Sequence, residues 1–117
     1  MYLIYGIPNC NTVKSTRDWF KQHGIDYTFY DYKKQGISSD KLQEWCKQKG
    51  WEILLNKKGT TWRAMDILQQ KKICNEKTAI AFFIEKPTVI RRPIIELGGK
   101  IITIGFDENS YTLLFHH

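Results

Sequence analysis

Residues 2–32 read YLIYGIPNCNTVKSTRDWFKQHGIDYTFYDY, and this stretch decides the fold. Tyr2–Tyr5 is an apolar run suited to a buried strand, and Gly6–Pro8 break it. From Thr12 to His23, the positions Val13, Thr16, Phe20 and His23 share one helical face, with Lys14, Arg17, Asp18 and Lys21 on the other. Gly24 follows where a helix commonly ends in a left-handed residue. Tyr27–Tyr32 then alternates, with Thr28, Tyr30 and Tyr32 on one side and Tyr27, Phe29 and Asp31 on the other, which predicts a second strand. Strand, helix and strand in this order form a compact βαβ unit with parallel strands.

Cys10 sits where the first strand turns into the helix. The first amides of a helix have no partner within it, and the positive end of the dipole lies there. Both favour a thiolate, which is the reactive form of cysteine. A lone cysteine is more often a small buried hydrophobe. This one stands between two asparagines, after Gly-Ile-Pro, at a turn, which is a poor place for a core residue. Asn11 and Thr12 follow it into the helix and are candidate anion-binding residues. Val13 occupies the place where a Cys-x-x-Cys motif would carry its second thiol, so any chemistry at Cys10 is monothiol. The resolving thiol is then external or distant. Cys46 lies on an apolar helical stripe and reads as core, while Cys74 reads as a surface cysteine in a polar loop.

Beyond residue 32, Ser38 or Ser39 caps a helix running to about Lys49, with Leu42, Trp45 and Cys46 as its buried stripe. Gly50 stops it, and Trp51–Leu55 is a short apolar stretch leading into the Asn56–Gly59 turn. Thr60 or Thr61 is expected to cap a third helix carrying Met65 and Leu68, followed by a polar loop over Lys71–Glu76. Thr78–Glu85 fits a helix or a strand by periodicity. Thr88–Arg92 is predicted as a strand ending at Pro93, joined through Gly98-Gly99 to Lys100–Gly105 as a hairpin. Asp107 or Asn109 starts a last helix with Tyr111, Leu114 and Phe115 buried. The βαβ unit and the hairpin-plus-helix unit, sharing one sheet, make an α/β thioredoxin-like (glutaredoxin-like) fold. Its mixed four-stranded sheet carries a helical insertion after the second strand. His116 and His117 receive no functional weight.

Bulk composition agrees. The 117 residues suffice for one domain with a real core, so residues 1–117 are read as a single domain. A 42% hydrophobic and 26% charged composition is ordinary for a globular chain. No apolar run is long enough to span a membrane, and no signal peptide is expected. Three widely spaced cysteines make no disulfide framework, which fits a reducing, cytoplasmic compartment. The net charge of +6 is scattered over lysines, so it reads as a solvated surface that also favours small anions; direct nucleic-acid binding is not expected. No Cys/His cluster has metal-ligand spacing, no glycine loop cradles phosphate, and no bound cofactor is expected.

Two further segments carry chemistry. In Arg91-Arg92-Pro93, the proline is either cis or an ordinary edge-strand proline. Consecutive strand residues face opposite sides, so only one arginine can serve the Cys10 site, and Arg92, beside the proline, is favoured. Its guanidinium would hold an oxyanion in bidentate fashion. Asn56–Arg63 is a polar turn with three cations, either closing over an anionic substrate or simply a solvated helix entry.

Together YGIPNCNTVK (residues 5–14), GWEILLNKKGTTWR (50–63), VIRRPII (89–95) and IGF (104–106) resemble the arsenate reductase (ArsC)/Spx family, nearest its YffB-like, arsenate-reductase-like branch. The resemblance runs over nearly the whole chain in the right order. It implies a thioredoxin-like fold with a helical insertion. It implies an enzyme in which Cys10 attacks arsenate while glutathione, or another small thiol, acts as co-substrate and glutaredoxin completes the reduction. Arg92 matches the arginine before the family's cis-proline, here Pro93. Another family arginine falls near Asn56–Lys58, where Lys58 replaces its charge without its fork. A further arginine has no equivalent around Ile104–Asp107. The substrate class is therefore an oxyanion or a disulfide. Spx-type members bind RNA polymerase and sense oxidation through Cys-x-x-Cys. The alternative function is thus a polymerase-binding regulator, with Val13 removing the redox switch.

Overall fold

The computed structural model describes residues 1–115; His116 and His117 lie outside the described residues. Along the chain run β1 (Tyr2–Gly6), α1 (Asn11–Gln22), β2 (Tyr27–Asp31) and α2 (Tyr32–Gln35). Next come α3 (Ser39–Lys49), α4 (Trp51–Leu54), α5 (Thr60–Arg63), α6 (Ile67–Lys71) and α7 (Glu76–Glu85). A 3₁₀ turn (Pro87–Val89), β3 (Ile94–Leu97), β4 (Lys100–Ile104) and α8 (Glu108–Leu114) complete it. The chain divides into two compact units: residues 1–35 with 92–115, and residues 36–91 inserted between them.

The first unit is built on a four-stranded sheet of order β2-β1-β3-β4. β1 runs parallel to β2, with Tyr5 opposite Tyr30 and Gly6 opposite Asp31. It runs antiparallel to β3, with Tyr5 opposite Ile94, and β3 is antiparallel to β4. The β3–β4 turn needs positive φ at both central residues, and Gly98 and Gly99 supply it at 59° and 81°. This is a mixed four-stranded, thioredoxin-like sheet with the helical insertion after its second strand. Ile4, Trp19, Phe20, Ile25, Ile95, Tyr111 and Phe115 form its core. The rings meet edge to face, Phe20 and Phe115 with centroids 4.9 Å apart, a geometry aromatic quadrupoles favour. α1 buries Trp19 as well as Val13, Thr16 and Phe20. His23 is only half-buried and stacks on Trp19 at 4.0 Å.

Three expectations are corrected. The second strand stops at Asp31, because Asp31 Oδ1 accepts the Lys33 and Lys34 N–H groups, both at 3.1 Å, and turns the chain into α2. Tyr32 therefore opens a helix. The predicted Thr88–Arg92 strand is a 3₁₀ turn followed by irregular chain, and regular pairing starts only at Ile94. Pro87 has no N–H and its ring presets φ for a helical first position, which overrides the β propensity of Thr88, Val89 and Ile90. In α8, capped by Asp107, Tyr111 and Phe115 are buried but Leu114 remains 42% exposed.

In the second unit Ser38 caps α3 by accepting the Lys41 N–H at 3.1 Å, and Leu42, Trp45 and Cys46 are buried. Thr78–Glu85 is helical, within an α7 whose start is closed by an Asn75–Thr78 capping box. An isolated bridge joins Leu55 to Ile90, flanked by Asn56 N–H to Val89 O (2.7 Å) and Arg91 N–H to Leu54 O (2.8 Å). The helix expected after Thr60 or Thr61 is instead two, with Gly59 at the first N-cap. Asp66 restarts the chain as the N-cap of α6 with a second capping box, its carboxylate accepting the Gln69 N–H at 2.8 Å. Leu68 then points outward, 70% exposed.

Candidate active site

Cys10 is the N-cap residue of α1, in extended conformation at φ −102° and ψ 126°. A turn closes beneath it, where its N–H donates to Ile7 O at 3.2 Å, and its carbonyl accepts the Lys14 N–H at 2.9 Å as the first helical bond. Polar N-cap side chains usually accept the second and third helical amides. The half-buried thiol makes no capping hydrogen bond of ordinary geometry in this position. The Val13 and Thr12 N–H groups nevertheless lie close enough to favour charge on the sulfur.

Burial alone would raise the Cys10 pKa. The Val13 amide, a hydrogen bond from the Arg92 side chain, the Thr12 amide and the Arg92 charge outweigh it, and the thiol lies below its ordinary value. Arg92 is half-buried just ahead of β3, and its guanidinium is hydrogen-bonded to both Tyr32 and Cys10. Desolvation works against its charge, but the Tyr32 and Cys10 interactions prevail and hold it more firmly protonated. Tyr32 is fully buried, and that burial, against the opposing pull of Arg92, pushes its phenol up to about 12. The site thus contains a thiol biased toward thiolate, a fixed cation beside it and a neutral phenol behind the cation.

The other sequence-predicted residues are distributed as follows. Asn11 and Thr12 are exposed in the first turn of α1; Thr12 also accepts the Thr16 hydroxyl through its carbonyl at 3.0 Å. Pro93 is buried, and the Arg92–Pro93 peptide is cis. Lys58 belongs to the second unit, where its side chain is exposed and its N–H donates to Asn56 Oδ1 at 3.2 Å. Arg91 is exposed. Cys46 is buried, and burial, followed by the charge of Glu76, pushes its thiol up to about 11. Cys74 is exposed. Tyr32 is the site residue that the sequence reading missed. Nothing local marks it, because its place beside Arg92 depends on β2 and β3 flanking β1. A cleft of about 350 Å³ is lined by Ile7, Pro8, Asn9, Asp31, Lys33 and Lys34. Among the described residues, no three His, Cys, Asp or Glu are grouped so as to hold a metal ion.

The model of the ArsC family matches residues 5–113. An uncharacterized protein of Haemophilus influenzae is 41% identical over 115 residues, covering 98% of this chain and 99% of its own. The global transcriptional regulator Spx 2 of Bacillus cereus is 26% identical, covering 94% of this chain and 83% of its own. Among solved structures, a YffB protein superposes with a TM-score of 0.87 at 39% identity, covering 97% of this chain and 98% of its own. An arsenate reductase (ArsC) related protein from Brucella melitensis gives 0.79 at 38% identity, covering 96% and 92%. A thiol at the first strand-to-helix turn, an arginine and proline ahead of the third strand and a match over nearly the full length agree: the chain belongs to the ArsC family.

Proposed function

We propose that this chain is a cytoplasmic monothiol oxidoreductase of the arsenate reductase type, its residues 1–117 acting as one thioredoxin-like ArsC-type domain. The observation that carries the reading is the Arg92 side chain hydrogen-bonded to Cys10 at the N-terminus of α1. A thiolate beside a guanidinium attacks electrophiles that bring their own negative charge, since the cation offsets the repulsion between the two anions. The similarity to the Brucella melitensis protein supports the reductase class.

With arsenate, the Cys10 thiolate displaces one oxygen as water and forms a sulfur–arsenic(V) bond. An external thiol such as glutathione attacks Cys10 Sγ. The sulfur–arsenic pair stays on arsenic, which leaves as arsenite, and Cys10 is joined to the thiol as a mixed disulfide. A second thiol or glutaredoxin exchanges with that disulfide and restores Cys10. Arg92 holds the oxyanion throughout, with Asn11 and Thr12 at the helix terminus. With a disulfide as substrate, attack yields the mixed disulfide directly and releases one thiolate.

The second reading, a regulator that binds RNA polymerase, rests on the 26% identity to Spx 2. Val13 leaves such a protein without the Cys-x-x-Cys switch.

The test is the pH dependence of Cys10 alkylation with Cys46 and Cys74 changed to serine. The reading requires a midpoint below the ~8.5 of a free thiol. It also requires that Cys10→Ser abolish NADPH-coupled turnover with arsenate or a disulfide, glutathione and glutaredoxin, at unchanged melting temperature. A midpoint at or above the free-thiol value, or turnover retained in Cys10→Ser, overturns it. Recovery of polymerase subunits on a Cys10→Ser bait would then favour the regulator.

A further inference from the structure

Three adjacent strands meet at one edge of the sheet. Gly6 and Asp31 are the last paired residues of β1 and β2, so Ile7 and Tyr32 follow directly on neighbouring strand ends. On the other side of β1, Tyr5 pairs with Ile94, the first residue of β3, and Arg92 stands two residues ahead of it in the chain. Ile7 itself holds Cys10, whose N–H donates to its carbonyl at 3.2 Å. Cys10, Tyr32 and Arg92 thus lie just beyond the ends of three neighbouring strands, and the Arg92 side chain bonds both of the others.

Tyr32 is fully buried, and a buried phenolic oxygen requires a polar partner. Its partner is the Arg92 side chain, which also bonds Cys10. The guanidinium has only donors, so the phenolic oxygen accepts. A half-buried guanidinium has lost much of its water and takes its orientation from whichever acceptors remain. One acceptor on its inner side fixes the plane of the fork and thereby aims the outer N–H groups at the sulfur and at any oxyanion there. The titratable neighbours of Tyr32 are Arg92, Cys10 and Asp31; Lys33 and Lys34, next along α2, are exposed.

We propose that Tyr32 is a positioning residue of the active site, accepting a hydrogen bond from the Arg92 guanidinium and so holding that cation against Cys10 and against the bound oxyanion. This rests on the oxidoreductase reading. Tyr32 acts on the sulfur and on the substrate through Arg92.

Tyr32→Phe removes the acceptor and keeps the ring, so the packing survives, and a thermal melt run alongside verifies it. In the background with Cys46 and Cys74 changed to serine, the midpoint of Cys10 alkylation is expected to rise by about half a unit. The rate at pH 7 is then expected to fall about threefold, the change in thiolate fraction that such a shift produces. Arg92→Ala is expected to raise the midpoint further, and adding Tyr32→Phe to Arg92→Ala should change nothing more. A Tyr32→Phe midpoint equal to the parent's overturns the proposal. So does an equal rise from Tyr32→Phe with Arg92 present or absent, since the tyrosine would then act on its own. A parent midpoint at the free-thiol value overturns the oxidoreductase reading itself and the proposal with it.

Discussion

Gly6 shows how closely the site is packed from below. A Cβ built there would stand 2.8 Å from Val13 Cγ2, closer than real carbon contacts allow, and 3.2 Å from Cγ1, tighter than most. Val13 belongs to the rigid first turn of α1, and its amide is the leading influence favouring the Cys10 thiolate. Gly6→Ala is therefore expected to push that turn off the sheet. Overpacking of this kind costs about 1–3 kcal/mol, measurable as a lower urea midpoint. The Cys10 alkylation midpoint should rise in the same variant, because the amides move with the turn. An unchanged midpoint would mean that the helix terminus contributes little to the thiol. At this scale the sequence was informative where chemistry is local: Cys10 and the Gly-Ile-Pro turn announce themselves within a few residues. Tyr32 does not, since it reads as one more aromatic in an aromatic strand.

A chain of hydrogen bonds ties the elements of the first unit together. The Tyr111 hydroxyl of α8 donates to Gly105 O at 2.5 Å and lies 3.0 Å from Thr16 Oγ1 of α1. Gly105 N–H in turn donates to Pro93 O at 2.8 Å, one residue from Arg92. Tyr111 thus links the Cys10 helix to the chain that carries Arg92. Tyr111→Phe removes the donor to Gly105 O and one of the two partners of the buried Thr16 hydroxyl, which keeps Thr12 O. The expected cost is ~1–3 kcal/mol by urea unfolding. Combining it with Thr16→Val should cost less than the sum, because both changes break the same link. The elements also divide by legibility. α1, α3, the Gly98-Gly99 turn and β4 were readable because caps, period and paired glycines agreed. The stretch Thr88–Arg92 was not, because β-branched residues pointed to a strand while Pro87 and the bridge between Leu55 and Ile90 decided otherwise.

Over the whole molecule, three buried groups must stay neutral for the chain to remain folded. Burial pushes Cys46 up to about 11 and Tyr32 and Tyr111 up to about 12. Unfolded, the thiol titrates near ~8.5 and the phenols near ~10. At pH 9 to 12 the folded state therefore binds more protons than the unfolded state, so stability falls as pH rises. The stabilisation is complete below the unfolded values and is lost by the time pH passes the folded ones. Urea midpoints are expected to decline from about pH 9 upward. Cys46→Ala, though less stable at neutral pH, should decline less steeply over its lower part. A parallel decline in both would remove Cys46 from the cause.

The sequence by itself determined the opening strand, helix and strand of the first unit, its glycine turn, β4 and closing helix, the place of the thiol and the family. Those features rest on short-range physics: period, caps, turn glycines and a nucleophile at a helix start. Only the tertiary structure decided what faces the thiol. It ended β2 at Asp31 and joined Tyr32 to Cys10 through the Arg92 side chain. It also left Leu114 exposed where the sequence had suggested burial. The physical reason is that strand order and register are properties of pairing between distant segments. No single segment carries the hydrogen bonds that set them.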